Sequence, residues 1–393
     1  MYQFFFLLKL IMKYPLFKVF MSEDVKNPLN EKLMSGFITQ GKAVEEFEDN
    51  LKKVFNYPYI LTLNSATSGL TLAIRLLKDK MGMNEDDEVL CTPLTCMATN
   101  LPVLANNLKI KWVDIDKDNG LIDLEDLERK LTKKTKIILF VHWGGFPLEL
   151  NKLNEILDRN EERLGFKPQV VEDCAHSFLS EYNGKKLGTY GNFGVFSLQA
   201  IKHLTTGDGG LIFCPNEEYY EKAKLLRWYG IDREKRNYKG KDLRLENDVE
   251  NWGYKFHMND INATIGIHNL PHIPALIEKN RRNAKLYDNL LESIEEVKII
   301  NKYDENKKSA YWLYTILVEN KNELIENLKE EEIFCSQVHQ RNDTHTCFKL
   351  FKTELPNLDY YEKKMVCIPV GWWLEENDIR HVVSKIKKFY NKK

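Results

Sequence analysis

Residues 196–210 read FSLQAIKHLTTGDGG. They join two apolar runs, GVFSL (194–198) and GLIFC (210–214), through a lysine, Lys202, and a glycine-rich turn. Neither run alternates apolar with polar residues, so each reads as a strand buried on both faces. The turn has no room for a crossover helix, so the second run is expected to make a locally irregular, antiparallel pairing at the sheet edge. Upstream lie five similar runs: YILTLN (59–64), EVLCTP (88–93), IKWVD (110–114), KIILFVH (136–142) and QVVED (169–173). Stretches with helical apolar spacing separate them, at 68–80, 123–132 and 150–160. Strand–helix alternation of this kind specifies an α/β fold, a mostly parallel seven-stranded sheet flanked by helices. Beyond Pro271 the texture changes to long charged helices (276–294, 321–331, 376–393) with short strands such as YWLYTILV (311–318). The expected organisation is an N-terminal extension (1–12), a large domain (13–270) and a smaller C-terminal α/β domain (271–393).

Composition narrows the functional classes. The 393 residues are 43% hydrophobic and 29% charged, which excludes wholesale disorder and collagen-like repeats. Lysine plus arginine (57) balances aspartate plus glutamate (58), so no global charge draws the chain to nucleic acid or to an anionic membrane. A small-molecule partner is expected. The seven cysteines are odd in number and mostly sit in apolar runs, as Cys214 and Cys367 do. They read as free thiols of a reducing, cytoplasmic compartment, and their spacing suggests no metal site. The opening MYQFFFLLKLIM is interrupted by Lys9 and falls short of the about 20 apolar residues that span a bilayer. It is read as an extension that contributes no chemistry.

In open α/β sheets ligands bind beyond the carboxyl ends of the strands. After YILTLN comes Ser65-Ala66-Thr67-Ser68-Gly69, leading into a helix whose N-terminus suits a phosphate, although simple capping by Ser65 or Thr67 accounts for the same residues. The run QVVED ends in Asp173, a carboxylate costly to bury unless paired or serving a function. Lys202 follows an apolar stretch, and its enclosure would lower its pKa and free the amine to attack an aldehyde. A phosphate cradle, a strand-end aspartate and a lysine, in that order on one sheet edge, are the three anchors of pyridoxal 5′-phosphate. The lysine forms a Schiff base, the carboxylate faces the pyridine nitrogen and the cradle holds the phosphate.

With these residues in place, the sequence resembles the pyridoxal-phosphate-dependent sugar aminotransferases of the DegT/DnrJ/EryC1/StrS group, of the aspartate aminotransferase fold (fold type I). The resemblance runs from about Pro15 to the C-terminus. It rests on FITQGKAVEEFE (37–48), LNSATSGLTLAI (63–74), VVEDCAHS (170–177), FSLQAIKHLTTGDGG and WGYKFHMNDINATIG (252–266). It implies that Lys202 bonds the cofactor and moves the proton. Asp173 would pair with the pyridine nitrogen and His176 would sit by the ring hydroxyl, while Thr67, Ser68 and Ser197 bind the phosphate. It also implies a homodimer in which Lys255 or His257 reaches the neighbouring subunit's phosphate, and a loop with Thr39 and Gly41 lining the sugar site. One departure stands out. Where the family places an aromatic residue that stacks on the pyridine ring, this chain has Cys96, in TPLTCMATN (92–100). Cysteine packs on the ring with less area, and Trp143, in VHWGGFP, is the candidate to compensate. His339, His345, Trp372 and Trp373 fall in segments that border the sugar nucleotide in relatives. The implied activity is amino transfer to a nucleotide-linked keto-deoxy sugar, with L-glutamate as donor. The alternatives are a sugar dehydratase of the same family, which carries histidine in place of the lysine, and a non-catalytic relative, which would have lost Lys202 or Asp173.

Overall fold

The computed structural model describes residues 13–232, 237–238, 245–246 and 248–391, so the apolar extension at 1–12 lies outside the described residues. All seven expected runs form strands: β1 (Ile60–Leu63), β2 (Glu88–Cys91), β3 (Lys109–Trp112), β4 (Thr135–Val141), β5 (Gln169–Asp173), β6 (Phe193–Ser197) and β7 (Gly210–Phe213). They make one sheet in the order β1-β7-β6-β5-β4-β2-β3. The strands β3, β2, β4, β5 and β6 pair in parallel. The expected antiparallel strand is β7, but it is not an edge. It lies antiparallel between β6 and β1, in regular register on both sides.

The helices are α1 (Lys26–Ser35), α2 (Lys42–Phe55), α3 (Ala66–Met81), α4 (Met97–Ala105), α5 (Leu124–Lys130), α6 (Leu150–Leu164), α7 (Glu217–Leu226), α8 (Asp260–Asn269), α9 (Ile273–Leu291), α10 (Lys321–Glu330), α11 (Pro356–Lys364) and α12 (Glu376–Asn391). Local chemistry sets their ends. Ser65 caps α3 by accepting from the Ser68 N–H, Asp123 caps α5, and the left-handed Gly82 and Gly165 close α3 and α6. None of the described helices is long and apolar enough to cross a membrane. All seven cysteines are free.

A second core forms around an antiparallel sheet of β8 (Val297–Ile299), β9 (Tyr314–Val318) and β10 (Met365–Ile368), in that order. Helix α9 ties the two cores together, burying Ile273 and Ile277 in the first and Ala284, Tyr287 and Leu291 in the second. Tyr14 also belongs to the second core, where its backbone bonds Glu332 and Phe334. The following residues cross back, and the Ser22 N–H reaches Asn269 of α8 at 2.9 Å. Residues 14–22 therefore strap one core to the other.

One buried ion pair locks the outer edge of the large sheet. The Arg227 Nη1 donates to Glu48 at 2.6 Å and to the Thr62 carbonyl at 2.9 Å, and Glu48 also accepts from the Thr62 N–H and hydroxyl. Removing one partner of a buried pair leaves the other charge stranded, at about 3–5 kcal/mol. Glu48→Ala is therefore expected to lose about that much stability in urea unfolding, and a loss below about 1 kcal/mol would show that the pair does not hold this edge.

Candidate active site

The cradle is assembled by strand register. Gly210 of β7 pairs with Ser197 on one side and Leu63 on the other, which brings the end of β6 beside the start of α3. A Cβ at Gly210 would collide with the Ser65 carbonyl, so only glycine permits this approach. At the start of α3 the first N–H groups have no carbonyl partner within the helix, and the helix dipole favours an anion there. Ser68 is buried with its hydroxyl 2.9 Å from the Ser65 hydroxyl, and Ser197 accepts from the Gln199 N–H at 3.3 Å. Thr67, Ser68 and Ser197 thus share one edge.

Lys202 sits on a loop suspended from the end of β6. Leu198 bonds Gly209, Thr205 and Thr206, and the Asn262 side chain of α8 donates to the carbonyls of Thr206 and Asp208. The Lys202 ammonium lies 3.5 Å from the centre of the Trp312 ring. Burial pulls its pKa down to about 7, with Asp173 and then Cys96 drawing it partly back up. Asp173 is 3% exposed, and burial pushes its carboxyl above the usual range. Against that, the Thr99 hydroxyl donates to it at 2.6 Å and the Ala175 N–H at 3.0 Å. His176 lies flat on Trp312, ring centres 3.9 Å apart. Burial, followed by the charge of Lys202, holds its pKa well below the ordinary value, so it is a neutral imidazole. Its Nδ1 is buried without a hydrogen-bond partner among the described residues.

Behind this group, β5 turns the adjacent carboxylate, Glu172, the other way. Burial alone would raise its pKa, but hydrogen bonds from His142 and from the Gly191 and Gly188 N–H groups hold it low. His142, Glu172 and Cys174 lie within metal-ligating distance of one another. His142 and Glu172 are engaged instead with each other at 3.1 Å and with backbone N–H groups.

The remaining sequence candidates divide. Cys96 is half-buried and within electrostatic reach of Lys202, and its carbonyl accepts from Asn342 at 3.3 Å. Trp143 is buried edge-on to His176 and His339; the ring over Lys202 is that of Trp312. His339 stacks near both His176 and Trp312, at 6.0 and 6.3 Å. His345 caps a short helical turn, while Trp372 and Trp373 pack on the strap at Phe20 and Pro15. Within one chain, residues 255–257 run along the outer edge of β1, where Asn64 bonds Phe256 and Leu63 bridges His257. Lys255 is exposed with its ammonium 4.4 Å from the Trp228 ring, whereas His257 is buried against that same ring. Thr39 and Gly41 are held by Asp260, which bonds the Gly41 N–H at 2.7 Å and donates its own N–H to the Thr39 carbonyl.

Sequence reading missed Trp312 and Thr99. Thr99 lies one helical turn from Thr95, whose hydroxyl bonds it at 2.6 Å. Trp312 was assigned to a strand, yet β9 begins only at Tyr314. Tyr311 adopts a left-handed φ of 46°, and the N–H groups of Trp312 and Leu313 both turn to the Gly144 carbonyl.

The chemistry of this donor set fits pyridoxal 5′-phosphate: a buried carboxylate for the ring nitrogen, an unpartnered imidazole nitrogen for the ring hydroxyl, an amine of depressed pKa and a helix N-terminus for the phosphate. Fold and site together define a fold type I enzyme of that cofactor class. The sequence matches the DegT/DnrJ/EryC1/StrS aminotransferase family over residues 20–387, and the chain belongs to that family. It is an aminotransferase, and membership implies pyridoxal phosphate as its cofactor. Among solved structures it is similar to AtS13 from Actinomadura melliaura (42% identity, 95% of this chain and 98% of that one, TM-score 0.89). It is also similar to the sugar aminotransferase CalS13 from Micromonospora echinospora (39% identity, 95% and 99%, TM-score 0.89). A curated relative from Campylobacter jejuni, UDP-4-amino-4,6-dideoxy-N-acetyl-beta-L-altrosamine transaminase, is 30% identical over 92% of this chain and 95% of its own length.

The depressed lysine pKa has a direct consequence. Only the neutral amine attacks an aldehyde, so capture of pyridoxal phosphate by cofactor-free protein, trapped with borohydride, is expected to rise through a midpoint near pH 7. A midpoint near the ordinary 10.5 would show that the amine is solvated.

Proposed function

We propose that this enzyme transfers the amino group of L-glutamate to the ketone of a nucleotide-linked keto-deoxy sugar, as a cytoplasmic homodimer with shared active sites. The carrying observation is Lys202 itself, a buried amine with a pKa of about 7 facing Asp173 and His176. The names of similar proteins support the substrate class: one is a UDP-amino-sugar transaminase and another a sugar aminotransferase. Free cysteines suit a reducing compartment. The proposed division is a large cofactor-binding domain (13–270) and a small one (271–393), the latter contributing Trp312 and His339 to the site.

When bound, pyridoxal phosphate supplies the carbonyl and the electron sink. The protein supplies position and proton transfer. The first turn of α3, with Thr67, Ser68 and Ser197, holds the phosphate. Asp173, whose burial raises its proton affinity, faces the ring nitrogen and keeps it protonated. His176 accepts or donates through Nδ1 at the ring hydroxyl. Lys202 takes the proton from the α-carbon of glutamate and later returns one at the sugar carbon that receives nitrogen. An amine with a pKa near the working pH suits both directions. Of the two candidates on the 252–266 segment, Lys255 is assigned the partner subunit's phosphate, because its ammonium is exposed while His257 packs into its own chain. The exposed Met34 and Phe37, at 79% and 80%, offer apolar surface for that second copy.

Lys202 also weighs against dehydration. The neighbouring His203 is turned aside, its Nε2 on the Ala310 carbonyl at 3.1 Å, so the lysine faces Asp173. Purified protein loaded with pyridoxal phosphate is expected to be yellow and to bleach on adding L-glutamate alone. A yellow protein indifferent to glutamate would refute that donor, and a protein that cannot be loaded would refute the enzyme reading. Lys202→Ala should lose turnover with an unchanged circular dichroism spectrum. Turnover at the wild-type rate would remove Lys202 from the mechanism.

A further inference from the structure

Trp312 makes more directed contacts with the active-site loop than any function assigned so far requires. Its indole N–H donates to the carbonyl of Ile201 at 2.9 Å, the residue just before the lysine. Its backbone N–H is fixed on the Gly144 carbonyl at 2.9 Å. Its ring stacks with His176 at 3.9 Å and with Phe17 of the strap at 4.8 Å. The face so fixed carries the Lys202 ammonium at 3.5 Å from the ring centre. The ring is 6% exposed. One side chain thus grips both the backbone before the lysine and the lysine's own charge.

We propose that Trp312 is the positioning residue of Lys202: it holds the released ammonium on its ring face, short of an ion pair with Asp173, whenever the lysine is not bonded to the cofactor. The inference rests on Lys202 being the cofactor lysine. In any amino transfer of this kind the lysine is free for part of each cycle while the amino group resides on the cofactor. A free buried ammonium would be drawn to the nearest carboxylate. Were it to pair with Asp173, that carboxylate would be lost to the ring nitrogen. An aromatic face attracts the cation without neutralising it and without offering a competing acceptor. It is also one-sided, so the amine leaves it by side-chain rotation alone.

The titratable and charged groups around the ammonium are Asp173 and His176 at and after the end of β5, Cys96 before α4, His203 on the same loop, and His339 from the segment after β9. None of them changes when only the indole is altered. The test therefore replaces Trp312 by mono-, di- and trifluorinated tryptophan, which drains the ring face of charge while keeping its shape and N–H. The readout is the pH midpoint of borohydride-trapped pyridoxal phosphate on Lys202 in the cofactor-free full-length chain. Weakening the face removes support for the ammonium, so the midpoint is expected to fall stepwise with fluorine number. The complete loss, read from Trp312→Leu, should be about 0.4–1.5 pH units. A midpoint that stays put across the fluorinated series overturns the proposal, whatever becomes of the leucine variant. Failure of unmodified protein to trap the cofactor on Lys202 would instead defeat the lysine assignment beneath it.

Discussion

The site depends on one steric constraint, the passage of β7 between β1 and β6. An antiparallel strand inserted there places Gly210 against Ser197 and Leu63 at once, and the collision a Cβ would make with Ser65 fixes how closely α3 can begin beside it. From that contact the rest follows. The first turn of α3 opens next to the end of β6, so the edge proposed to bind phosphate and the lysine loop share one mouth. The loop cannot wander, because the Leu198 main chain and the Asn262 side-chain amide close it with hydrogen bonds. A parallel β7 would have required a crossover helix and would have carried Lys202 away from Asp173.

Electrostatics then decides what the enclosed groups can do. Asp173 and Lys202 are both taken out of water, and burial moves each toward its neutral form, the carboxyl up and the amine down. Their mutual attraction opposes that drift without cancelling it. The outcome is an amine with a pKa of about 7 beside a carboxyl raised above the usual carboxylate range, which suits the proton-transfer roles proposed for them. Thr99 and the Ala175 N–H keep Asp173 oriented, and the imidazoles of His176 and His339 stay neutral through burial and the nearby ammonium. The site therefore holds few fixed charges, and the cofactor's own phosphate and ring nitrogen complete it.

The sequence revealed the seven strands, and it suggested the three proposed anchors, because both leave local signatures: continuous apolar runs for strands buried on two faces, and chemistry concentrated where those runs end. Its reading of β7 as an edge failed because sheet order is a tertiary property, one in which α2 and α7 pack against β1, and is not written in the TTGDGG turn. Trp312 was hidden by its own neighbourhood. YWLYTILV has the composition of one strand, and only the left-handed Tyr311 and the Gly144 carbonyl bend its first residues out of β9 and over the lysine. Trp143 was the natural candidate to stand in for the aromatic missing at Cys96, being next to a strand end, yet it is edge-on and one layer back. Lys255 and His257 could not be separated by residue type, and the difference between them is burial against Trp228.

The same geometry explains why the active-site lysine answers to chain segments distant from it in sequence. Asp173, His176, the cradle and the loop come from the large sheet, while Trp312, His339 and Asn342 come from the chain after α9, and Phe17 from the strap. The strap itself is pinned at Tyr14 in the second core and at Ser22 on α8. Phe17 and His176 both stack with Trp312, and the Lys202 ammonium lies over that same ring. The environment that sets the amine's charge is therefore built partly by chain from beyond α9 and from the strap, drawn into the large-sheet core and bonded there to Gly144 and Ile201.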